Sequence, residues 1–308
     1  MTELEKTARA ILIKCVKVQK GESVLIITDK PFQDLARALY EMAHKLRTEV
    51  MLVEIWPRKT FSQEPPVAIA EAMKTADAVI LATHIPLSNT KARREACQKG
   101  ARILAISGTQ QGAISVNRLR IAERSKKLAD IFTIGRTLNL TTPAGTELIM
   151  SIAKVKGQAD TGLVHHKGEF AYWPGGEAYL SPVAGQTQGT LIIDGTLSLT
   201  GKIQHLITCE VKDGYVIKIS GREEAEKLRT FLKPFGKAAR TIAELGLGTN
   251  DALKLKGLIW EDCKVMGTAR LSLGEGSGRI ANCVTGILLK PTVTIDGKVI
   301  VKGGKLVI

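Results

Sequence analysis

Ser23-Val24-Leu25-Ile26-Ile27-Thr28 leads, through Asp29-Lys30, into Pro31 to Leu46, where Phe32, Leu35, Leu39, Met42, Ala43 and Leu46 recur near helical spacing. The first six residues are apolar almost without a break, so they lack the alternation of a half-exposed strand. A strand of that kind, joined to a helix with proline in its first turn, is one half of a parallel βα unit. The alternation continues. Val50–Ile55, Ala78–Thr83 and Ala101–Ile106 read as further strands. Glu3–Val18, Val67–Ala76, Lys91–Gln98 and Leu119–Ala129 read as helices. The pattern predicts a doubly wound α/β domain over residues 1–136, its sheet covered on both faces. The turn after the first strand, Thr28-Asp29-Lys30-Pro31, holds neither G-x-G-x-x-G nor a Walker pattern, so no nucleotide is expected there.

Beyond residue 136 the texture changes. Thr141-Thr142-Pro143-Ala144-Gly145-Thr146 is a turn between two β-prone stretches. Leu191–Ile193, Val216–Ile219 and Val293–Ile295 read as strands, the first and last running into Asp194-Gly195 and Asp296-Gly297 turns. Helices are expected at Glu223–Phe231 and Pro234–Leu245. Residues 137–308 therefore read as a β-rich α+β domain.

A chain of 308 residues, 44% apolar and 24% charged, has the balance of a folded globular protein. No apolar run approaches the roughly 20 residues of a membrane span. Met1 to Lys20 is charged throughout and lacks a signal-peptide pattern, so a cytoplasmic protein is expected. The five cysteines (Cys15, Cys97, Cys209, Cys263, Cys283) are never spaced C-x-x-C, which fits a reducing compartment. The net charge is +14, with basic clusters around Lys91–Arg102 and Arg118–Lys127. Aromatics make up only 4% of the chain and avoid both clusters. The clusters read as solvated helix faces, and nucleic acid is not expected as a partner.

Three segments carry a resemblance. The first is Trp173-Pro174-Gly175-Gly176-Glu177-Ala178-Tyr179-Leu180-Ser181-Pro182. The second is Ala243-Glu244-Leu245-Gly246-Leu247-Gly248-Thr249-Asn250. The third runs from Gly267-Thr268-Ala269-Arg270 to Pro291-Thr292-Val293 and Asp296-Gly297. In order and spacing they resemble the thermophilic metallo-aminopeptidase family, the aminopeptidase T and aminopeptidase S group. The likeness covers most of residues 130–308. It implies that family's catalytic-domain fold, a homodimer, a small-molecule or peptide ligand, and two divalent metals activating a water.

Carried over residue by residue, the resemblance puts Glu177 and Glu244 where two glutamate ligands belong. Arg270 stands where G-T-x-H would supply a histidine, and Cys283 and Thr285 stand where an H-x-D pair would fall. A guanidinium has no lone pair to give and cannot ligate a metal. The expected catalytic set is therefore Glu177, Glu244 and Arg270. Zinc or cobalt, if any metal is retained, would sit on Glu177, Glu244 and Cys283. The expectation is a metallopeptidase-like protein with a degenerate metal site and peptidase activity reduced, altered or absent, in which Arg270 fills the space of a lost metal. The alternatives are a non-peptidase relative binding a small acidic or peptide-like ligand through Arg270, and a basic polyanion-binding protein. His165-His166 is the one histidine pair; in an extended segment at most one of the two could serve a cleft.

Overall fold

The structure, a computed structural model, describes residues 1–60, 62–106, 118–274 and 284–308. Its contacts divide the chain into two compact units. One comprises Met1–Arg118 with Thr161–Gly175, the other Leu119–Asp160 with Gly176–Ile308. The single cut expected after residue 136 differs from this division at two places: helix Arg118–Ile134 packs almost wholly with the second unit, and Thr161–Gly175 returns to the first.

In the first unit, strands β1 (Ser23–Thr28), β2 (Glu49–Glu54), β3 (Ala78–Ala82), β4 (Arg102–Ile106) and β8 (Phe170–Trp173) form one sheet in the order β2-β1-β3-β4-β8. All four pairings are parallel. The intervening helices are α2 (Gln33–Lys45), α3 (Val67–Thr75) and α4 (Lys91–Gln98). The first helix, α1 (Glu3–Arg9), is capped by a Thr2–Glu5 capping box and runs on as a π-helical turn, Ala10–Cys15. Strands β1, β3 and β4 are buried almost throughout, as their apolar runs require. Strand β2 is not: it is the sheet's edge, and Met51 and Leu52 are exposed. The basic clusters are also less solvated than expected. Arg102 is buried, donating to the Val16 carbonyl (2.7 Å) and to Glu22 (2.6 Å). Arg118 is buried with its guanidinium over the Trp173 ring.

The second unit is two antiparallel sheets. The larger has the order β14-β13-β10-β6-β5-β18-β19-β20. Its strands are β5 (Thr137–Thr141), β6 (Glu147–Ser151), β10 (Thr187–Ile193), β13 (Ile207–Lys212), β14 (Tyr215–Ser220), β18 (Thr292–Ile295), β19 (Lys298–Lys302) and β20 (Lys305–Leu306). The other has the order β12-β11-β17-β16-β15-β9-β7. It contains β7 (Gln158–Asp160), β9 (Glu177–Leu180), β11 (Thr196–Leu197), β12 (Gly201–Lys202), β15 (Ile242–Gly248), β16 (Thr268–Leu273) and β17 (Val284–Leu289). Helices α5 (Arg118–Ile134) and α6 (Glu223–Leu232) contribute Phe132 and Leu228 to one core with Leu140, Leu191, Leu245 and Leu271. The fold class is as the sequence predicts, an α/β part followed by a β-rich α+β part.

Two local expectations fail. Pro234–Leu245 is not a helix. Two single 3-10 turns, Lys233–Phe235 and Ala238–Arg240, precede strand β15. β15 is held between β9 and β16, and the hydrogen bonds of two ladders outweigh the helix preference of Ala243, Glu244 and Leu245. Asp194-Gly195 is not a hairpin either. The chain passes there from the larger sheet to the smaller. Gly195 fits because a Cβ would meet the Ile287 carbonyl at 3.0 Å, and the Asp194 carboxylate accepts the Leu289 N–H at 2.8 Å. Asp296-Gly297 does make the expected two-residue hairpin, with φ of 48° and 80° and Ile295 opposite Lys298. Among the described residues no helix is long and apolar enough to cross a membrane.

Candidate functional site

Five adjacent strands of the smaller sheet build the site by register. Tyr179 of β9 lies opposite Gly246 of β15, which lies opposite Arg270 of β16. Glu177 pairs with Gly248 and, on its other side, with Asp160 of β7. Glu244 pairs with Ser272, and Ser272 with Thr285 of β17. Because side chains alternate along a strand, these residues share one face. The intervening residues, Ala178, Leu245, Leu247, Ala269 and Leu271, face the hydrophobic core. One face of this sheet is thus core, and the other carries charge. Over the charged face lies a short apolar cluster of Ile259, Cys263 and Ile287, with Ile259 drawn from helix α7 (Ile259–Asp262). Asp262 fastens that segment, accepting from the Lys256 and Gly257 N–H groups and the Thr196 hydroxyl at 2.6–2.9 Å.

Arg270 is the hub. Its Nε donates to Glu177 Oε1 at 2.5 Å, and its Nη1 donates to Glu244 Oε2 at 2.9 Å and to Ser272 Oγ at 2.8 Å. Ser272 Oγ lies 3.0 Å from Thr285 Oγ1. The guanidinium carbon stands 5.7 Å from the centre of the Tyr179 ring, within cation–π range. The side chains of Arg270, Glu177 and Glu244 are 12%, 7% and 28% exposed, so Glu244 marks the open side. A second buried pair adjoins the first: Lys264 Nζ lies 2.9 Å from Asp160 Oδ2, with both side chains under 8% exposed. Gly246 leaves the room this array needs, since a Cβ there would collide with Glu177 Oε1 and stand 3.0 Å from Arg270 Nε.

Burial pushes the Glu177 carboxyl above the ordinary range, while the charges of Arg270 and then Lys264 pull it back. Burial alone would lower the Arg270 value, but Glu177 and Glu244 outweigh it and fix the guanidinium in its charged form. Burial, followed by the Glu177 charge, pushes the Cys263 thiol up.

The structure therefore brings Glu177, Glu244 and Arg270 together. Thr285 joins them through Ser272. Cys283 lies outside the described residues. Asp160, Lys264, Ser272 and Gly246 were not singled out from the sequence. Only Gly246 carried a signal, the period-two Glu244-Leu245-Gly246-Leu247-Gly248 run that strips side chains from one strand face. His165 and His166 belong to the first unit, where His165 Nε2 lies 2.9 Å from the Lys14 carbonyl and both backbone N–H groups bond Glu169. Among the described residues, no three His, Cys, Asp or Glu side chains gather as a metal set. The Arg270 guanidinium, expected to hold an acidic or peptide-like ligand, is bonded to the carboxylates of Glu177 and Glu244.

The family model for NicX, 2,5-dihydroxypyridine 5,6-dioxygenase, matches residues 3–308. The 2,5-dihydroxypyridine 5,6-dioxygenase of Pseudomonas putida KT2440 is 24% identical over 175 residues. That alignment covers 55% of this chain and 49% of the relative, so the chain spans about half the length of the curated protein it matches. Two solved structures share the fold. A 2,5-dihydroxypyridine dioxygenase from Pseudomonas putida KT2440 superposes with a TM-score of 0.85 at 18% identity, covering 99% of this chain and 96% of that one. Wild-type AmpT, the aminopeptidase T of Thermus thermophilus, superposes with a TM-score of 0.73 at 14% identity, covering 99% of each chain. The aminopeptidase likeness is thus one of fold. The peptidase, hydrolase and polyanion-binding expectations are overturned, because motif order and spacing follow a shared backbone while chemistry follows the side chains on it. The match over nearly the whole length shows that the chain belongs to the NicX family, the 2,5-dihydroxypyridine 5,6-dioxygenases.

Proposed function

We propose that this chain takes a hydroxylated pyridine-type ring, the substrate class in its family's name, and that it is a divergent member without a ring-cleaving metal centre on Glu177 and Glu244. The first part is supported by the family match over residues 3–308. The second rests on one observation, the Arg270 guanidinium bonded to both carboxylates.

Dioxygenation of an aromatic ring needs a group that activates O2, commonly a non-haem iron held by two imidazoles and a carboxylate with open positions. The residues of this unit do not fit that group. Of the five histidines only His205 belongs to the second unit, and it lies 3.3 Å from Glu224 of α6, which also accepts the Gln204 N–H. Arg270 cannot give a lone pair. The carboxylates at this place are balanced by side chains.

The test is a titration of the full chain with 2,5-dihydroxypyridine, followed by ring absorbance and thermal shift, beside oxygen uptake with and without added ferrous iron. Saturable binding with oxygen uptake at background is expected. Iron-dependent uptake that accompanies loss of the ring absorbance, or an absence of binding, would each refute one part.

A further inference from the structure

We infer that the outer edge of strand β2 pairs antiparallel with β2 of a second copy of this chain, about a two-fold axis at Leu52, so that two five-stranded sheets run on as one.

Among the described residues β2 pairs with β1 alone and ends the sheet. The two edges of that sheet differ. At the far edge β8 buries Ala171 and Trp173. On β2, Met51 and Leu52 are 43% and 39% exposed, and Trp56, just past the strand, is 86% exposed. Natural edges are blunted by lysine, proline, a bulge or shortness. β2 has none of these. It keeps unbroken register with β1 from Glu49 to Glu54, and Val50-Met51-Leu52-Val53 is apolar throughout. Its outward backbone groups follow from the inward ones. Glu49 donates its N–H to the Glu22 carbonyl, and Ile55 donates to the Thr28 carbonyl. Positions alternate along a strand, so 49, 51, 53 and 55 face β1, while Val50, Leu52 and Glu54 turn their N–H and C=O groups outward. An antiparallel partner using those groups must match even positions with even. The match that uses all three sets Leu52 against the partner's Leu52 and Val50 against the partner's Glu54. Met51 then faces the partner's Val53, and Glu49 faces the partner's Ile55. Each glutamate meets an apolar side chain. The register that opposes Glu49 and Glu54, like charge on like, would match odd positions with even, and the odd groups are already bonded to β1. Backbone parity and charge thus select the same two-fold pairing, which makes the edge complementary to itself.

The experiment measures the mass of the full native chain and of Leu52→Lys by sedimentation equilibrium, and the disulfide-linked fraction of oxidised Leu52→Cys and Val50→Cys on non-reducing gels. The native chain is expected at an even multiple of the chain mass. Leu52→Lys sets two ammonium groups against each other across the axis and is expected to halve that mass with circular dichroism unchanged. Leu52→Cys is expected to form a linked dimer, because opposed hydrogen-bonded positions stand about 5.5 Å apart between Cα atoms, within disulfide reach. Val50→Cys is expected to link no more than the native chain, since its two copies lie about 13 Å apart along the strands. A monomeric native chain overturns the inference and leaves the edge to an extended segment of another protein. An assembly whose mass Leu52→Lys leaves unchanged overturns it too, as does linkage at Val50→Cys equal to that at Leu52→Cys. Should Leu52→Lys fail to fold, the two cysteine variants decide: linkage confined to Leu52→Cys supports the pairing, and its absence there overturns it.

Discussion

At the scale of single residues the molecule turns on charge balance in a dry place. A buried ion pair is weak evidence of net stability, but removing one partner leaves a charge without water or counter-ion. Arg270→Met is therefore expected to cost about 3–5 kcal/mol in urea unfolding, and Arg270→Met with Glu177→Gln is expected to recover most of it. A double variant no better than the single would show that shape, not charge, sets the cost. Gly246 belongs to the same account. Gly246→Ala places a methyl against the Glu177 carboxylate and is expected to destabilise by about 1–3 kcal/mol, as overpacking does. In a Glu177→Ala background that penalty shrinks, because the colliding oxygen is gone. Additive losses in the two backgrounds would contradict the predicted collision.

At the scale of elements, helix α6 offers a pH-dependent test. Glu224 stands in its first turn and accepts the Gln204 N–H at 2.9 Å. That backbone bond, with the residue's own N–H and then His205, holds its carboxyl down at about 2 against an ordinary 4.5. A depressed folded value means the carboxylate stabilises the fold above the unfolded value. The contribution is full above pH 4.5 and is lost as pH falls from there toward 2. The stability gap between native protein and Glu224→Gln is expected to be widest near neutrality and to close over that interval. Unfolding midpoints taken at several pH values read it directly, and a gap that is constant with pH would refute it. Strand β15 teaches a different lesson. Its sequence, Ile242-Ala243-Glu244-Leu245-Gly246-Leu247-Gly248, reads locally as helix followed by loop. It becomes a strand because β9 and β16 offer ladders on both sides and because its glycines give room to the charged array. Without that pairing Glu244 could not face Arg270.

At the scale of the whole molecule, the proposed neutralisation of the array by side chains predicts a fold independent of metal. Prolonged dialysis of the native chain against EDTA is expected to leave its unfolding midpoint unchanged, and a fall of several degrees would show a structural ion in place. The sequence by itself determined the class of fold, because buried strands and helices announce themselves through unbroken apolar runs and 3.6-residue spacing. Glu177, Glu244 and Arg270 were legible together because their motifs keep a fixed order. Asp160, Lys264 and Ser272 were not, since a lone aspartate, lysine or serine carries no pattern until strand register sets it beside a partner. Tertiary structure alone decided that strand Phe170–Trp173 joins the first unit's sheet and that the guanidinium bonds both glutamates. The physical reason is that hydrophobic periodicity is written locally along the chain, whereas pairing of charges depends on which distant strands lie side by side.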